Sequence, residues 1–378
     1  MSASTIAANR LLHGTEREKR SSLPLSMAQT ARIRAALLAA DSGRCALPDS
    51  ATFDVLREVG VEEPLSIAAA QVFSSHHTYR LPREDSHAFD LVHRFHLTGG
   101  RASSMNAALK RFALNKERKA RASGRMPQQL KASESVMSLP PPGKRSDAGV
   151  SISNEGGFQS YPDLFDYGDL LKYASPAGHR SLEGHRREGA RLPSCESAPF
   201  TLNEWGRSEF GEEDVKGRQH CHELHRIASL AIKECTDPAE EAPESGFAVH
   251  RANGWLNVNR ADDINFMHVH IPDRFSGTYY VASSPQSDQS LDGRMIFRSG
   301  PKRAADGSVP PSSHTYMTVP PVPGSLWLFP GTVPHRVLGM AGAADAGADG
   351  SRGQWGPRIS IAMNFLDAQV PVDRSVHP

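Results

Sequence analysis

Hydrophobic and polar positions change rhythm along this chain. From residue 254 onward, short runs rich in β-branched and aromatic residues recur between Gly, Pro and Asp turn signals. They are Trp255 to Arg260, Phe266 to Ile271, Gly277 to Ala282, Arg294 to Arg298, Thr315 to Val319, Ser325 to Phe329, Val333 to Leu338 and Arg358 to Phe365. Eight short strands with no helical pattern between them predict a sandwich or barrel, and eight is the strand number of a jelly roll.

Upstream the period lengthens. Leu224, Ile227, Leu230 and Ile232 fall at helical spacing within 215–234, and 107–125 is helix-compatible up to Gly124. Ala28 to Ala40 and Thr52 to Val61 also read as helices, and FSSHHTYRL at 73–81 reads as a strand. A Pro/Ser/Gly stretch at 133–149 reads as a linker. The predicted class is mainly β with flanking helices (α+β), a C-terminal jelly roll preceded by a less ordered N-terminal region. The predicted divisions are a tail over 1–44, a helical or mixed region over 45–130, a linker over 131–150 and the barrel domain over 151–372.

Charge changes this picture little. Lys and Arg number 43 against 42 Asp and Glu, so no overall bias toward nucleic acid or membranes exists. The basic stretch Lys110 to Arg125 is the only hint of nucleic acid as a partner, and a solvated helix face accounts for it. Cys45, Cys195, Cys221 and Cys235 are widely spaced, which argues against a disulfide framework or a zinc knuckle. No apolar run reaches the length of a membrane span. The first 44 residues carry Arg, Ser and Ala as transit peptides do, but Glu16 and Glu18 run against that reading. The expected compartment is the cytoplasm, with a plastid or mitochondrion as the alternative. Substrate and oligomeric state are not legible.

Two His-x-His pairs stand out among 17 histidines, where chance alone supplies about one. His220, His222 and His225 lie in HCHELH, where His222-Glu223 is followed by His225 one residue short of the His-Glu-x-x-His spacing of metalloproteases, and they are expected on a helix surface. His268 and His270 open a strand-like run, where alternation turns both to one face, as a metal ion requires.

The order of His268-x-His270, GRMIF, VPGSLWLFP, PHRV and RIS resembles the double-stranded β-helix core of the iron(II)- and 2-oxoglutarate-dependent oxygenases. More narrowly, GGFQS, WLNVNRADDINFMHVH and SGTYYV resemble a 2-oxoglutarate oxygenase family in which His-x-His followed by Ser-Gly-x-Tyr-Tyr recurs. The resemblance covers about 155–368.

That resemblance implies Fe(II), 2-oxoglutarate and O2 as cofactors, with His268, His270 and His335 as metal ligands. It implies that Arg358 grips the distal carboxylate with its planar fork and that Ser360, on the same face, adds a hydroxyl. One of Tyr279 and Tyr280 must point inward to help hold the co-substrate, and Asn257 and Asn259 are further candidates on a shared face. Most relatives carry a carboxylate where His270 stands, so Asp273 is an alternative third ligand. All-histidine sites are also typical of cupin dioxygenases that use no 2-oxoglutarate. The expected activity is a 2-oxoglutarate-dependent dioxygenase that hydroxylates or demethylates a second substrate. The alternatives are a non-oxoglutarate cupin-type metal enzyme and a non-catalytic binding module.

Overall fold

The computed structural model describes residues 54–56, 60–83, 89–123, 154–155, 157–160, 164–165, 204–236, 252–260, 263–270, 275–283, 293–299, 315–340 and 356–365. Upstream of the barrel run β1 (Asp54–Leu56), β2 (Val61–Glu63), helix α1 (Ile67–Ala70), β3 (Phe73–Pro82), β4 (Phe89–Leu97), α2 (Gly99–Ala122), β5 (Asn154–Glu155), β6 (Phe158–Gln159) and α3 (Glu204–Thr236). The eight predicted runs follow as β7 (Ala252–Asn259), β8 (Ile264–His268), β9 (Phe275–Ala282), β10 (Met295–Arg298), β11 (Thr315–Val319), β12 (Ser325–Pro330), β13 (His335–Val337) and β14 (Arg358–Phe365).

They form two sheets, ordered β1-β11-β10-β13-β8-β5 and β2-β3-β4-β12-β9-β14-β7-β6. From β7 to β14 the chain changes sheet at every connection except β10 to β11, which makes this core a double-stranded β-helix. The larger sheet continues without a break into β4, β3 and β2, so the N-terminal strands extend the same sheet as the barrel. Residues 54–56, read as helical from composition, instead form β1 beside β11, where pairing to an existing strand overrides a weak local preference. The predicted helix at 28–40 and the linker at 133–149 lie outside the described residues.

The sequence of β14, RISIAMNF, shows how the layers arise. Ile359, Ile361, Met363 and Phe365 join one apolar cluster with Leu326 and Leu328 of β12 and with Met105, Leu109 and Phe112 of α2. Leu224, Ile227 and Ala231 of α3 belong to the same layer, so both helices cover the outer face of the larger sheet. The alternate residues of β14 face the other way, into the barrel, where Tyr280, Met295, Phe297, Trp327 and Phe329 form a second cluster. Burying the apolar side of β14 at roughly 25 cal/mol per Å2 fixes its register, because a one-residue slip would exchange the two faces.

Helix α3 is buried on nearly every side between Cys221 and Ile232. His222 and His225, expected at a helix surface, are therefore in the interior, with His225 stacked on Phe165 at 4.7 Å. The two long helices approach closely at Gly217, where an added Cβ would lie 2.2 Å from the ring of Phe112. On α2, Lys110, Arg111, Arg118, Lys119 and Arg121 are exposed, as expected of the basic stretch, while Glu117 is buried beneath them. Glu117 accepts from Arg121 Nε at 2.9 Å and from both terminal nitrogens of Arg260, which ties α2 to the end of β7. Burial pushes the Glu117 carboxyl up, but hydrogen bonds and charge from the two arginines outweigh it and hold it below its usual range. No helix among the described residues is long and apolar enough to cross a membrane.

Two measurements check this packing. Gly217→Ala should lower stability in urea unfolding by about 1–3 kcal/mol through overpacking, despite the roughly 1 kcal/mol that Ala ordinarily adds to a helix. A carboxyl depressed in the folded state stabilises above its unfolded pKa and ceases to do so as pH falls through the folded value. Glu117→Gln should accordingly cost about 1–2 kcal/mol at pH 7, with the two unfolding curves converging as pH drops below about 4.5.

Candidate metal centre in the barrel

Strand β13 is three residues long, and its pairing creates the site. His335 stands opposite His268 of β8, while Val337 stands opposite Asn265. Three residues of β13 (335–337) thus span four of β8 (265–268), a β-bulge that turns both Asn265 and His268 toward the barrel although they are three apart. The strand ends at His268, but the chain remains anchored because the His270 N–H donates to the Gly331 carbonyl at 2.8 Å.

The three imidazoles converge. Their ring centroids are 4.3 Å apart for His268 and His335, and 4.9 Å for each of the other pairs. One donor atom from each lies within 4.8 Å of the other two. His335 is held by Phe329 at 4.8 Å and Phe297 at 6.1 Å, and its Nδ1 donates to the Val333 carbonyl at 3.0 Å. That bond places the ring proton on Nδ1 and leaves the Nε2 lone pair available.

His270 packs near Trp255, at 5.8 Å, and its Nδ1 lies 3.3 Å from the Asn364 amide, which also pairs with Ser276 Oγ at 2.9 Å. The Asn364 amide nitrogen faces His270 Nδ1, and its Oδ1 accepts from the Ser276 hydroxyl. Burial and the His268 neighbour lower the His270 pKa to about 3. Burial lowers His335 well below the usual range, and the two other histidines add to that effect. Both rings are neutral at pH 7, the protonation state of a metal ligand.

The polar face of β14 completes the interior. Arg358 pairs in register with Asn259, and Ser360 with both Asn257 and Tyr280, so all five residues share one face. Arg358 is 2% exposed. Its terminal nitrogens donate to the Gly293 carbonyl at 3.0 Å, to Asn259 Oδ1 at 2.8 Å and, weakly, to Asn265 Oδ1 at 3.5 Å. Its three acceptors are all neutral, and among the described residues its Nε has no partner; neither does Asn257 Oδ1, also buried. Burial lowers the Arg358 pKa, against which the charges of Tyr280 and Asp263 act. A guanidinium buried among neutral acceptors has a strong need for an anion.

The two tyrosines separate as the pleat requires. Tyr280 faces the barrel. Tyr279 is the correction: it lies opposite Leu326 and Ile361 on the helix-covered face, where its hydroxyl donates to Asn106 Oδ1 at 2.7 Å. Its side chain points away from the face that carries Arg358 and Ser360. Asp273, the alternative third ligand, lies outside the described residues.

Sequence reading missed Asn265, Asn364 and the Gly293 carbonyl. Asn364 was within reach, since it falls on the same alternation as Arg358 and Ser360. Asn265 was hidden by the bulge, which breaks the alternation that would reveal it.

Three converging imidazole donors suit a first-row transition ion such as Fe(II), and the buried guanidinium suits a carboxylate.

A family model described as "Putative 2OG-Fe(II) oxygenase" matches residues 253–346, a segment that holds all three histidines but ends before Arg358. No curated protein matches the chain. Among solved structures, similarity is found to a Pseudomonas putida prolyl-4-hydroxylase (17% identity, TM-score 0.24, covering 39% of this chain and 64% of that one). A 2OG-Fe(II) oxygenase family oxidoreductase from Burkholderia pseudomallei is also similar (12% identity, TM-score 0.25, covering 41% and 61%). So is AviO1 from Streptomyces viridochromogenes Tue57 (11% identity, TM-score 0.32, covering 80% and 96%). The chain spans less than two thirds of the length of the first two. The similarity to the 2OG-Fe(II) oxygenase family is thus confined to the barrel segment 253–346.

Proposed function

We propose that this chain is an iron(II)- and 2-oxoglutarate-dependent dioxygenase in which His268, His270 and His335 hold the metal and Arg358 holds the distal carboxylate of the co-substrate. The observation that carries the reading is the buried Arg358 guanidinium, with no carboxylate among its hydrogen-bond acceptors in the described residues, in the same barrel as three converging imidazoles. When bound, the metal and co-substrate together supply O2 activation, with 2-oxoglutarate converted to succinate and CO2 as a second substrate is hydroxylated or demethylated.

The chain's own residues orient that chemistry. Asn265, a weak acceptor for Arg358, lies three residues before His268 on β8, about 10 Å along a strand at roughly 3.3 Å per residue. That interval accommodates a five-carbon diacid laid from the histidines to the guanidinium. Ser360 and Tyr280 share the inward face beside Arg358 and offer hydroxyl donors to the same carboxylate, while Asn259 and Gly293 fix the guanidinium plane. The Val333 carbonyl keeps His335 in the ligating tautomer, the Asn364 amide steadies His270, and Trp255, Phe297 and Phe329 exclude water behind the rings.

With Fe(II) and O2 but no second substrate, the wild-type chain should release succinate from 2-oxoglutarate slowly, and His335→Ala should release none above background. Equal release from both proteins would end this reading. Arg358→Lys keeps the charge but loses the fork, and should raise the KM for 2-oxoglutarate about 30- to 100-fold while Fe(II) affinity, measured separately, stays within a few fold. A cupin-type enzyme that uses no 2-oxoglutarate would be indifferent to that co-substrate in both proteins.

A further inference from the structure

Away from the barrel interior, a second group of metal-competent side chains meets on the helix-covered face of the larger sheet. Strand pairing sets His76 of β3 opposite Phe95, and Thr78 opposite His93 of β4, so His76 and His93 lie on one face of that hairpin. The C-terminal end of α3 crosses this face and brings in Cys235. One donor atom from each of His76, His93 and Cys235 lies within 4.8 Å of the other two. The helix end is fixed there because Glu234, the preceding residue, accepts from the Ser66 N–H at 3.0 Å and from its hydroxyl at 2.6 Å. We propose that His76, His93 and Cys235 form a second metal site, distinct from the barrel centre and selective for a zinc-class divalent ion.

Geometry and donor chemistry carry this. His76 Nε2 and His93 Nδ1 are 3.3 Å apart, and two nitrogens bound at about 2.0–2.1 Å in a tetrahedral shell stand about 3.3–3.4 Å from each other. His76 is locked by stacking on Phe95, with centroids 4.0 Å apart and planes 9° from parallel. Both histidines are buried, each 4% exposed, and among the described residues His93 Nε2 has no partner. Burial is the main cause that lowers His76 to about 4 and His93 to about 3, so both rings are neutral near pH 7 and carry a lone pair for a metal. Burial and Glu234 raise the Cys235 thiol, so metal binding there must release a proton.

Two imidazoles and a thiolate suit a borderline-soft ion such as Zn(II) and suit Mg(II) or Ca(II) poorly, since these prefer oxygen. The hydroxyl of Thr78, 3.1 Å from His93 Nδ1, or a water, is placed to fill a fourth position. A metal here would staple α3 to the β3–β4 hairpin, joining elements far apart in sequence. Separate barrel and brace sites would let one chain hold two different metals.

Sulfur distinguishes the two sites, because the barrel cluster among the described residues is made of three imidazoles. The test is Co(II) titration of the full-length, tag-free chain, stripped of metal and kept reduced. Wild type should develop an intense thiolate-to-cobalt charge-transfer band in the near ultraviolet, saturating at one equivalent for that band and abolished by added Zn(II). The band should be lost in Cys235→Ser and in His76→Gln, and retained in His335→Ala and in Cys221→Ala, whose thiol sits in the apolar core. Far-UV circular dichroism identifies any variant that fails to fold, and either folded variant of Cys235 or His76 suffices to decide. Absence of the band in wild type, its survival in Cys235→Ser, or its survival in His76→Gln overturns the proposal.

Discussion

The pairing of β13 with β8 is the contact on which the barrel site depends. It sets His335 directly opposite His268, and the bulge in β8 turns Asn265 inward as well. A regular ladder would aim Asn265 at the opposite face and remove one of the oxygen atoms that Arg358 reaches. Without that pairing the histidines have no reason to meet, since they come from segments separated by most of the barrel. The strand needed to make it is very short, which is affordable because β10 flanks β13 on its other side and Phe297 pairs with His335 there.

The alternation within β14 serves two layers at once. Its apolar residues bind the sheet to α2 and α3, and its polar residues line the barrel. The hydrophobic layer therefore positions the chemistry indirectly: it fixes the register, and register decides that Arg358, Ser360 and Asn364 point inward together. Burying Arg358 among neutral acceptors runs against stability. Such a group is a poor structural element and a good receptor for a carboxylate, which is why it carries more functional weight than the histidines alone. Three imidazoles can hold many ions, whereas a buried fork in the same barrel narrows the ligand.

The helix layer has its own consequences. Packing α3 under the extended part of the larger sheet buries His222 and His225 and brings Cys235 against the β3–β4 hairpin. The N-terminal strands are thus more than an appendage to the barrel, since they supply two of the three donors of the second cluster.

Much of this protein was legible from the chain alone. Strand alternation in eight short runs gave the jelly roll, and the same-face rule placed Arg358 with Ser360 and Asn257 with Asn259, because a period of two is a local property of extended backbone. The rule also required that only one of Tyr279 and Tyr280 point inward, but it could not say which. That choice belongs to β9's neighbours, β12 and β14, which put Tyr279 toward the helices. Composition misread residues 54–56 as helix, since β1 exists only because β11 is beside it. The surface reading of the α3 histidines failed for a similar reason, as periodicity cannot report that a helix is covered on several sides. Local rules end at the element. Which histidines meet, which carbonyls hold a guanidinium and where Cys235 lands are set by contacts between segments far apart in sequence, and only the folded chain contains them.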